Sequence, residues 1–436
     1  MFRKIAVASL GLAFWGTAAF AAGPPTIAPE DGRRVAEDVA RLVERNYLYP
    51  DRRSAIAGAI REKARENRYD TEEPEELVER LTADLRAAGR DRHLYVTYDP
   101  DLYRDLVAHG DDESGSTELS RAIGKRRNQG FEELKILDRN IRYARITNFL
   151  WSEGDTAPVI DEAARFLGEG AATIVDLRGN GGGSPESVER LVSYFLPEEG
   201  RPLIGFFDVL TGETKVARAA RGLPHPRILG KPLFVLTDGG TASAAEEFAY
   251  HVRQFKLGTI LGEKTAGAAN RNRQFPVAPG FVASVSIGRP IHVVGGSSWE
   301  GTGVAPDVEA PSATALDEAE LLALRLLPAS SAEDRALAEW AMEGIEARLR
   351  PPKPSEAELR EFTGRFGIRT IRLEKGSLAF QREGNPPTTL IPMGPDLFAF
   401  ANTADVRVRF RRSDRKVVGF DQVTADGQVF PSDRTE

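Results

Sequence analysis

Cysteine is absent from this 436-residue chain, and histidine occurs only five times. Without cysteine the protein has neither disulfide bonds nor a thiol nucleophile, although this absence leaves its compartment open. No His-Glu-x-x-His motif occurs, so a metal site would have to be assembled from histidines that are scattered along the chain. We therefore expect no metal and no cofactor. The five are His93, His109, His225, His251 and His292.

An excess of positive charge and long apolar runs are also lacking. The formal net charge is -7 at pH 7, and no basic run is present, which argues against a nucleic-acid-binding surface. Beyond the N-terminus, no segment approaches the ~20 apolar residues of a membrane helix, so we expect no stable membrane span. With 41% hydrophobic residues, the chain is long enough for two or three globular domains.

The N-terminus has the pattern of a secretory signal peptide. Met1–Lys4 is short and cationic, Ile5–Trp15 is apolar, and Ala19–Ala21 has a small-x-small cleavage pattern. A membrane anchor is the alternative, but the apolar stretch is short for a span. We therefore expect residues 1–21 to be removed and the mature chain, starting near Ala22, to work outside the cytoplasm as a secreted or periplasmic protein.

Apolar periodicity predicts helices first and an α/β region after them. Residues 22–90 form an N-terminal helical region, with apolar stripes at Val35, Val39, Leu42 and Val43 and at Leu77, Val78, Leu81, Leu85 and Ala88. Residues 91–327 form the core, in which strands alternate with helices, so we expect parallel pairing. The strands are Ile141–Phe149, Thr173–Leu177, Leu233–Leu236 and Thr259–Leu261, and the helices are Ile160–Leu167, Glu186–Phe195 and Ala244–Phe255.

The last quarter of the chain reads as a separate unit. Residues 328–354 comprise a helix, Ala332–Leu349, and a stiff Pro-rich linker. In residues 355–436, short alternating runs such as Val406–Phe410 are separated by turn residues, which predicts a small antiparallel β-barrel or sandwich.

Ser243 lies where a buried strand turns into a helix. An apolar strand ending at Leu236 is followed by Thr237-Asp-Gly-Gly-Thr-Ala-Ser243 and then by the helix-forming run Ala244–Phe248. Unpaired N–H groups at that helix start, with the positive end of its dipole, can stabilise an oxyanion. Ser243-Ala-Ala-Glu246 also fits a capping box, so a structural N-cap is the alternative.

A second strand, at Thr173–Leu177, runs into the glycine loop Gly179-Asn-Gly-Gly-Gly183. Consecutive glycines allow a ligand to approach the backbone closely. The dinucleotide fingerprint fails at Ser184, where its third glycine would stand, and no Gly-Lys-Ser/Thr follows for a phosphate loop. Nucleotide binding is therefore the weaker interpretation.

Four ordered motifs resemble the tail-specific protease superfamily of serine peptidases, which includes the C-terminal processing peptidases, the tricorn core protease and interphotoreceptor retinoid-binding protein. They are Asp176–Gly183, Thr241–Tyr250, Gly262–Gly267 and Trp299–Val308. The resemblance implies ClpP/crotonase-like ββα units in the core. The region from Pro100 to Gly130 is too short for the PDZ domain of many processing peptidases, so substrate capture must use another surface.

The resemblance also assigns site residues. The Gly-Lys-Gly motif of the Ser/Lys branch is missing, and Lys264 precedes its place, whereas Asp91-Arg-His93 looks like the Asp-x-His motif of the retinoid-binding-protein and tricorn branches. The resemblance implies that Ser243 is the nucleophile, that His93 is the base and that Glu300 is the carboxylate that orients the base. The backbone N–H groups of Ala244 and Gly182 would form the oxyanion hole.

Supporting and rival residues complete the predicted site. Glu246 either caps the helix or supports Ser243. His292 is the main rival base, since it follows the serine in the chain order of the α/β-hydrolases, whose Gly-x-Ser-x-Gly motif is absent. His251 is two turns along the Ser243 helix and, by helix rise, about 12 Å away.

The sequence thus predicts a secreted or periplasmic serine endopeptidase that acts on peptide or protein substrates, with a homo-oligomer as a candidate assembly. The alternative is a non-catalytic binding protein for an apolar ligand or peptide, because retinoid-binding members of the superfamily use the same core. A serine, histidine and acid set favours the enzyme, since a pure binder has no chemical need for it.

Overall fold

The computed structural model describes residues 26–109, 118–152 and 154–435. The predicted signal peptide, residues 1–21, lies outside this part of the chain. The chain divides into two compact units. The first comprises the segment up to Gly89 together with Leu94–Gly110 and Gln274–Val285, and the second comprises Arg90–His93, Asp111–Arg273 and Ser286–Glu436.

The described chain begins with helices, mixes helices and strands in its central part and ends with strands. The helices are α1 (Pro29–Asn46), α2 (Pro50–Arg65), α3 (Pro74–Gly89), α4 (Pro100–His109), α5 (Glu118–Arg126), α6 (Thr156–Gly168), α7 (Pro185–Ser193), α8 (Ala244–Phe255), α9 (Ala315–Leu326), α10 (Ala332–Leu349) and α11 (Glu356–Glu361). The strands up to the end of the core are β1 (Tyr95–Tyr98), β2 (Phe131–Leu137), β3 (Ile141–Ile146), β4 (Ala172–Asp176), β5 (Pro202–Asp208), β6 (Thr214–Arg218), β7 (Leu233–Thr237), β8 (Thr259–Gly262), β9 (Arg271–Ala278), β10 (Phe281–His292) and β11 (Val308–Glu309). The remaining strands are β12 (Gly364–Phe366), β13 (Arg369–Glu374), β14 (Ser377–Arg382), β15 (Thr388–Pro392), β16 (Leu397–Phe400), β17 (Thr403–Ser413), β18 (Lys416–Thr424) and β19 (Val429–Asp433).

The first unit packs helices on a short strand pair. Val35, Val39 and Val43 form the buried stripe of α1, at the helical spacing expected from the sequence. Helices α2 and α3 contribute to the same core, and β1 pairs antiparallel with residues 281–284 of β10. The predicted N-terminal helical region is thus confirmed, with α2 as an additional helix.

A mainly parallel sheet with helices on both faces forms the centre of the second unit. Its strand order is β11-β8-β7-β4-β3-β2, with parallel pairing from β11 to β3 and an antiparallel edge strand β2. Successive residues of β4 point to opposite faces: Val175 packs among residues of α6, α7 and α8, whereas Ile174 packs among residues of α9 and α10. The predicted α/β core is confirmed, although β3 ends at Ile146 rather than at Phe149.

The antiparallel strands β5, β6, β9 and β10, which precede the C-terminal strands and lie outside this sheet, were not predicted from the sequence. In the second unit, β5 pairs with β6 and with residues 288–292 of β10. Strand β9 pairs with β10. Their alternation of buried and exposed residues is interrupted by bulges and prolines, which weakens the strand pattern in the sequence.

The C-terminal strands β12 to β19 form an antiparallel meander in which each strand pairs with the next. After β19, the Thr435 N–H donates to the Arg365 carbonyl of β12 at 2.8 Å, so the last strand returns to the first and the sheet closes into a barrel. Phenylalanines fill its interior: Phe362, Phe366, Phe380, Phe398, Phe400, Phe410 and Phe420. The predicted C-terminal β structure is confirmed.

No helix in the described part of the chain combines the length and the apolar character required to cross a membrane.

Candidate active site

Ser243 occupies a strained turn between β7 and α8. Its φ and ψ are 53° and -121°, a backbone conformation that is costly for a residue with a Cβ. The side chain is half-buried, and Ala244 begins the helix, so the Ala244 N–H has no acceptor within α8. A strained serine at a helix start, next to a backbone N–H that has no acceptor within the helix, is the local geometry expected of a nucleophile.

Glu246 supports this turn through the hydrogen bonds that its carboxylate accepts. One carboxylate oxygen accepts from the Ser243 N–H at 2.9 Å and from the Ala268 N–H at 2.8 Å. The other accepts from the Gly267 N–H at 2.6 Å and from the Thr265 hydroxyl at 2.5 Å. Because the carboxylate is completely buried, these bonds supply the partners that burial demands. Glu246 therefore caps α8 by accepting from the Ser243 backbone N–H, and its support of a catalytic serine stays a prediction.

The glycine loop lies directly against Ser243. A Cβ on Gly182 would be 2.6 Å from the Ser243 Cβ and 3.1 Å from the Ala244 nitrogen, so only glycine fits there. The Gly182 N–H, however, donates to the Asn180 side-chain oxygen at 2.9 Å. Asn180 is therefore the acceptor of this N–H in the structure, and the role of the N–H as an oxyanion donor stays a prediction.

Buried polar residues of the same motif hold the glycine loop. Asn180 is fully buried, donates through its amide to the Ile146 carbonyl at 2.9 Å and accepts from the Ala242 N–H through its backbone at 2.9 Å. Asp176 is also fully buried and accepts from Arg178 and from the Tyr143 hydroxyl. These bonds explain why Asp176-Leu-Arg-Gly-Asn180 precedes the glycines. The charged side chains of Asp176 and Arg178 and the side-chain amide of Asn180 hold the loop at the ends of β3 and β4.

His93 and Glu300 are connected through Asp91 and Asn270. The nearest oxygen of the Asp91 carboxylate lies 3.9 Å from His93 Nδ1 and accepts from the His93 backbone N–H at 2.9 Å. The other Asp91 oxygen accepts from the Asn270 side-chain amide at 3.0 Å. The Asn270 and Ala269 backbone N–H groups donate to Glu300 at 2.8 and 2.7 Å.

This network runs from the nucleophile turn to the histidine within the second unit. The loop that supplies donors to Glu246 continues into the residues that bind Glu300 and Asp91. Burial raises the pKa of Glu300 to about 7, and the charges of Asp91 and Glu246 add to this effect, while the two backbone N–H groups oppose it. Glu300 is thus a half-buried acid poised near neutrality.

The network includes residues to which sequence reasoning assigned no role. Asp91 was noted only as part of the Asp-x-His pattern, and Asn270 was not singled out. The local sequence around Asn270 did not predict its contact with Asp91, because the two residues are 179 positions apart in the chain. Only the tertiary fold brings these side chains together.

The other candidates for the base, His292, His251 and Lys264, lie in environments that differ from that of His93. His292 is buried, accepts from the Val294 N–H at its Nδ1 and pairs through Nε2 with His251 Nδ1 at 3.0 Å, so both ring nitrogens are engaged. Burial lowers the pKa of His251 and of His292 to about 3. The Lys264 side chain is exposed, as expected for a solvated lysine. In the described part of the chain, no group of acidic and histidine side chains has the arrangement of a metal site.

A strained serine at the carboxyl end of a central strand of a parallel α/β sheet, beside a glycine loop, is an arrangement found in serine hydrolases. Sequence models of two known protein families match parts of this chain. Residues 140–310 match peptidase family S41, and residues 31–120 match the N-terminal domain of peptidase family S41 in eukaryotic IRBP. The chain belongs to peptidase family S41, and the superfamily predicted from the four motifs is confirmed.

Individual relatives are similar over part of their length. The carboxy-terminal processing protease CtpA of Bacillus subtilis is 32% identical over 138 residues, which are 31% of this chain and 28% of the relative. The chloroplastic carboxyl-terminal-processing peptidase 2 of Arabidopsis thaliana is 27% identical over 190 residues, 41% of this chain and 33% of the relative. The match therefore spans about a third of these proteins.

Among solved structures, the photosystem II D1 C-terminal processing protease is 16% identical, with a TM-score of 0.41 and coverage of 64% of this chain and 93% of that chain.

Proposed function

We propose that this protein is a serine endopeptidase that hydrolyses peptide bonds through an acyl-enzyme on Ser243. The observation that carries the proposal is the turn of Ser243, which combines a positive φ with a glycine loop at contact distance and the free N–H of Ala244 at the start of α8. A serine held only as a helix cap has no need of a strained backbone, because ordinary caps have extended dihedral angles.

In this mechanism the Ser243 hydroxyl attacks the carbonyl carbon of the scissile bond and passes its proton to His93. The tetrahedral oxyanion accepts from the Ala244 N–H and from the glycine loop, where the Gly182 N–H would exchange its Asn180 acceptor for the oxyanion. His93 then protonates the leaving amine. Water deprotonated by His93 hydrolyses the acyl-enzyme and restores the hydroxyl.

The acidic residues orient the base in this proposal. Glu300 was predicted for this role from the sequence, and its contacts support an action through Asn270 and Asp91, whose carboxylate is 3.9 Å from His93 Nδ1. Asn270 links the two carboxylates, since its backbone N–H donates to Glu300 and its side-chain amide donates to Asp91. The linked carboxylates would keep the imidazole orientation and stabilise the imidazolium that forms during attack.

A fluorophosphonate label combined with casein cleavage tests the proposal. Ser243→Ala should abolish both labelling and cleavage, and His93→Ala should lower turnover by several orders of magnitude, whereas Lys264→Ala and His292→Ala should not. Ser331→Ala is the matched control, because Ser331 caps α10 by accepting from the Asp334 N–H at 3.1 Å. It loses a cap worth ~1 kcal/mol but should keep full activity.

Full cleavage by the Ser243→Ala protein would exclude Ser243 as the nucleophile. An active His93→Ala protein would exclude the proposed base. If the folded wild-type protein neither reacts with the label nor cleaves casein, the alternative function is favoured, namely a binding protein for an apolar ligand or peptide on the same core.

We also propose export from the cytoplasm, on the basis of the cationic, apolar and small-x-small segments of residues 1–21. The mature chain is expected to start between Ala21 and Gly23. Mass spectrometry of the N-terminal peptide, after expression with the natural leader in a bacterium, measures the start directly. Retention of Met1 in the exported fraction would contradict cleavage and indicate an anchored form.

A further inference from the structure

One end of the C-terminal barrel contains a cavity of about 370 Å³, distant in sequence from the Ser243 site. Phe380, Phe400 and Val406 provide its apolar surface, and the strand ends and hairpin residues around them are polar: Arg382, Asn385, Thr388, Asn402, Thr403 and Gln422. A volume of this size is at the lower end of the range for small-molecule sites. An apolar floor with a polar edge is the usual composition of such a site.

Two arginines face each other at this end of the barrel. Arg369 of β13 is directly opposite Arg382 of β14 in the strand register. Each is two residues from an interior side chain of its own strand, Ile371 or Phe380, and therefore points to the interior face. Like charges directly opposite one another destabilise a sheet, so this pair needs a compensating anion or a function.

No carboxylate in the described part of the chain forms an ion pair with either arginine. The Arg369 guanidinium donates to the Ser432 hydroxyl at 2.9 Å, but its Nε is buried and has no acceptor. Burial lowers the pKa of Arg369, and the neighbouring charge of Arg382 lowers it further. Some other arginines of the barrel have acidic partners: Arg411 pairs with Asp433 and Arg412 with Asp396. Arg369 differs from the exposed arginines of the barrel because a buried nitrogen of its guanidinium has no acceptor, and Arg382 of the cavity edge lies directly opposite it.

We propose that this end of the barrel binds an apolar monocarboxylate. The carboxylate lies between Arg382 and Arg369 and supplies the missing acceptor, while the attached apolar group packs on Phe380 and Phe400. A guanidinium recognises a carboxylate through paired, charge-assisted hydrogen bonds, and the apolar floor excludes small hydrated anions such as phosphate. The carboxylate belongs to a free alkanoate or to the last residue of a peptide, since both present the same chemistry.

Isothermal titration of the full-length Ser243→Ala protein tests this site without turnover of a peptide. The probes are octanoate, with octanol as its uncharged counterpart, and a hexapeptide ending in Leu-Leu with a free carboxylate, with its C-terminal amide as counterpart. Saturable binding of octanoate alone identifies a free acid as the ligand, and saturable binding of the peptide acid identifies a chain terminus. Either outcome supports the site, and the uncharged counterparts should bind ~10-fold more weakly or not at all, as expected for the loss of a charge-assisted bond.

Arg382→Gln should weaken binding of the acid ~10-fold, because it removes one guanidinium from an exposed position without altering the barrel core. Arg372→Gln is the matched control: Arg372 lies on the same strand pair as Arg369 but on its opposite, exposed face, and should bind as the parent does. Three results would overturn the proposal: no saturation by either acid, unchanged binding after Arg382→Gln, or an equal loss after Arg372→Gln. Since the parent lacks the nucleophile and octanoate is not a peptide, failure here leaves the peptidase proposal untouched.

Discussion

Gly182 is the residue whose size is most tightly constrained at the candidate site. Its φ is +111°, and an added Cβ would meet the Ser243 Cβ at 2.6 Å and the Ala242 carbonyl oxygen at 2.9 Å. Gly182→Ala must therefore push Ser243 from its position. We expect turnover to fall on the order of a hundredfold, since a displacement of about 1 Å at a nucleophile has effects of that size.

Gly181 supplies the control for this prediction. A Cβ at Gly181 meets no atom within 4 Å, and its φ is not in the left-handed region, so Gly181→Ala should retain nearly all activity. The comparison uses kcat on one peptide substrate with circular dichroism as a check of folding. A Gly182→Ala protein that turns over as fast as Gly181→Ala would show that the loop does not position the serine.

At the residue scale, the sequence predicted which types of side chain meet but not how each is held. Ser243 and Glu246 were singled out from one short motif and Gly182 from the family resemblance, and the structure places them at a turn, a helix start and a close approach. The contacts of Glu300 with Ala269 and Asn270, and of Asn270 with Asp91, join distant segments, so no local pattern encodes them. The catalytic roles assigned to Ser243, His93, Glu300, Gly182 and Glu246 remain predictions.

Helix α8 and strand β10 are joined by a chain of imidazoles. The Val294 N–H donates to His292 Nδ1, so the proton of neutral His292 is on Nε2 and points to His251 Nδ1. The remaining proton of His251 is then on Nε2, 3.4 Å from the Glu247 carboxyl. Protonation of either ring would make two N–H donors face each other, which agrees with the lowering of both pKa values to about 3 by burial.

This arrangement predicts how stability depends on pH. An unfolded histidine takes up its proton near pH 6.5, but the folded pair takes up protons only near pH 3, so the unfolded state binds more protons between these values. Stability contributed by the pair is present above pH 6.5 and is lost as the pH falls toward 3. Burial raises the pKa of Glu189 to about 8 and also raises the pKa of Glu247. Each of these acids makes stability fall as the pH rises through its own titration range, which opposes the effect of the histidines. The informative quantity is therefore the difference in pH dependence between the wild-type protein and a histidine variant.

Urea midpoints of the wild-type protein and of His292→Phe at pH 7.5 and pH 5 measure that difference. The phenylalanine fits among Tyr250 and Phe255, which already pack against the imidazole. We expect the wild-type protein to lose more stability on acidification than the variant, by ~1 kcal/mol or more, since one pKa unit corresponds to about 1.4 kcal/mol. His225→Gln, in an exposed pair with Glu162, should keep the wild-type difference, and equal losses in all three proteins would contradict the explanation.

Elements differ in how much of them the sequence predicted, for a physical reason. Strands β4 and β7 are buried on both faces, so they appear as continuous apolar runs, and α8 begins and ends at the predicted residues because its start motif is strong. Strands β5 and β6 expose one face or lie at an edge, and their sequences carry little apolar alternation. Pairing across the sheet, rather than local preference, produces them.

At the scale of the whole molecule, the linker between core and barrel is not the only connection. Helix α10 packs against the core sheet through Ala341 and Ile345, and its other side meets the barrel at Arg407 of β17. The Arg407 guanidinium lies 3.6 Å from the centroid of the Trp340 ring, pairs with Glu343 at 2.6 Å and is only 4% exposed. The Trp340 indole N–H donates to the Ala404 carbonyl at 2.9 Å. Core and barrel are therefore joined by a buried cation over an aromatic ring.

Arg407→Ala should loosen this junction. It removes the ring contact, the ion pair and the bond to the Trp340 carbonyl, and we expect a loss of ~2–4 kcal/mol in the free energy of unfolding. Arg407→Lys should recover only part of it, because an ammonium cannot stack on the ring and bond to two acceptors in one plane. Limited trypsin digestion at the Arg348–Leu349 bond measures the effect, because the bonds after Arg350 and Lys353 precede prolines and resist trypsin. We expect faster release of the barrel from the alanine variant. Arg409→Ala is the control, since Arg409 is exposed on the same face of β17; if it releases the barrel as readily, the junction does not depend on the buried cation.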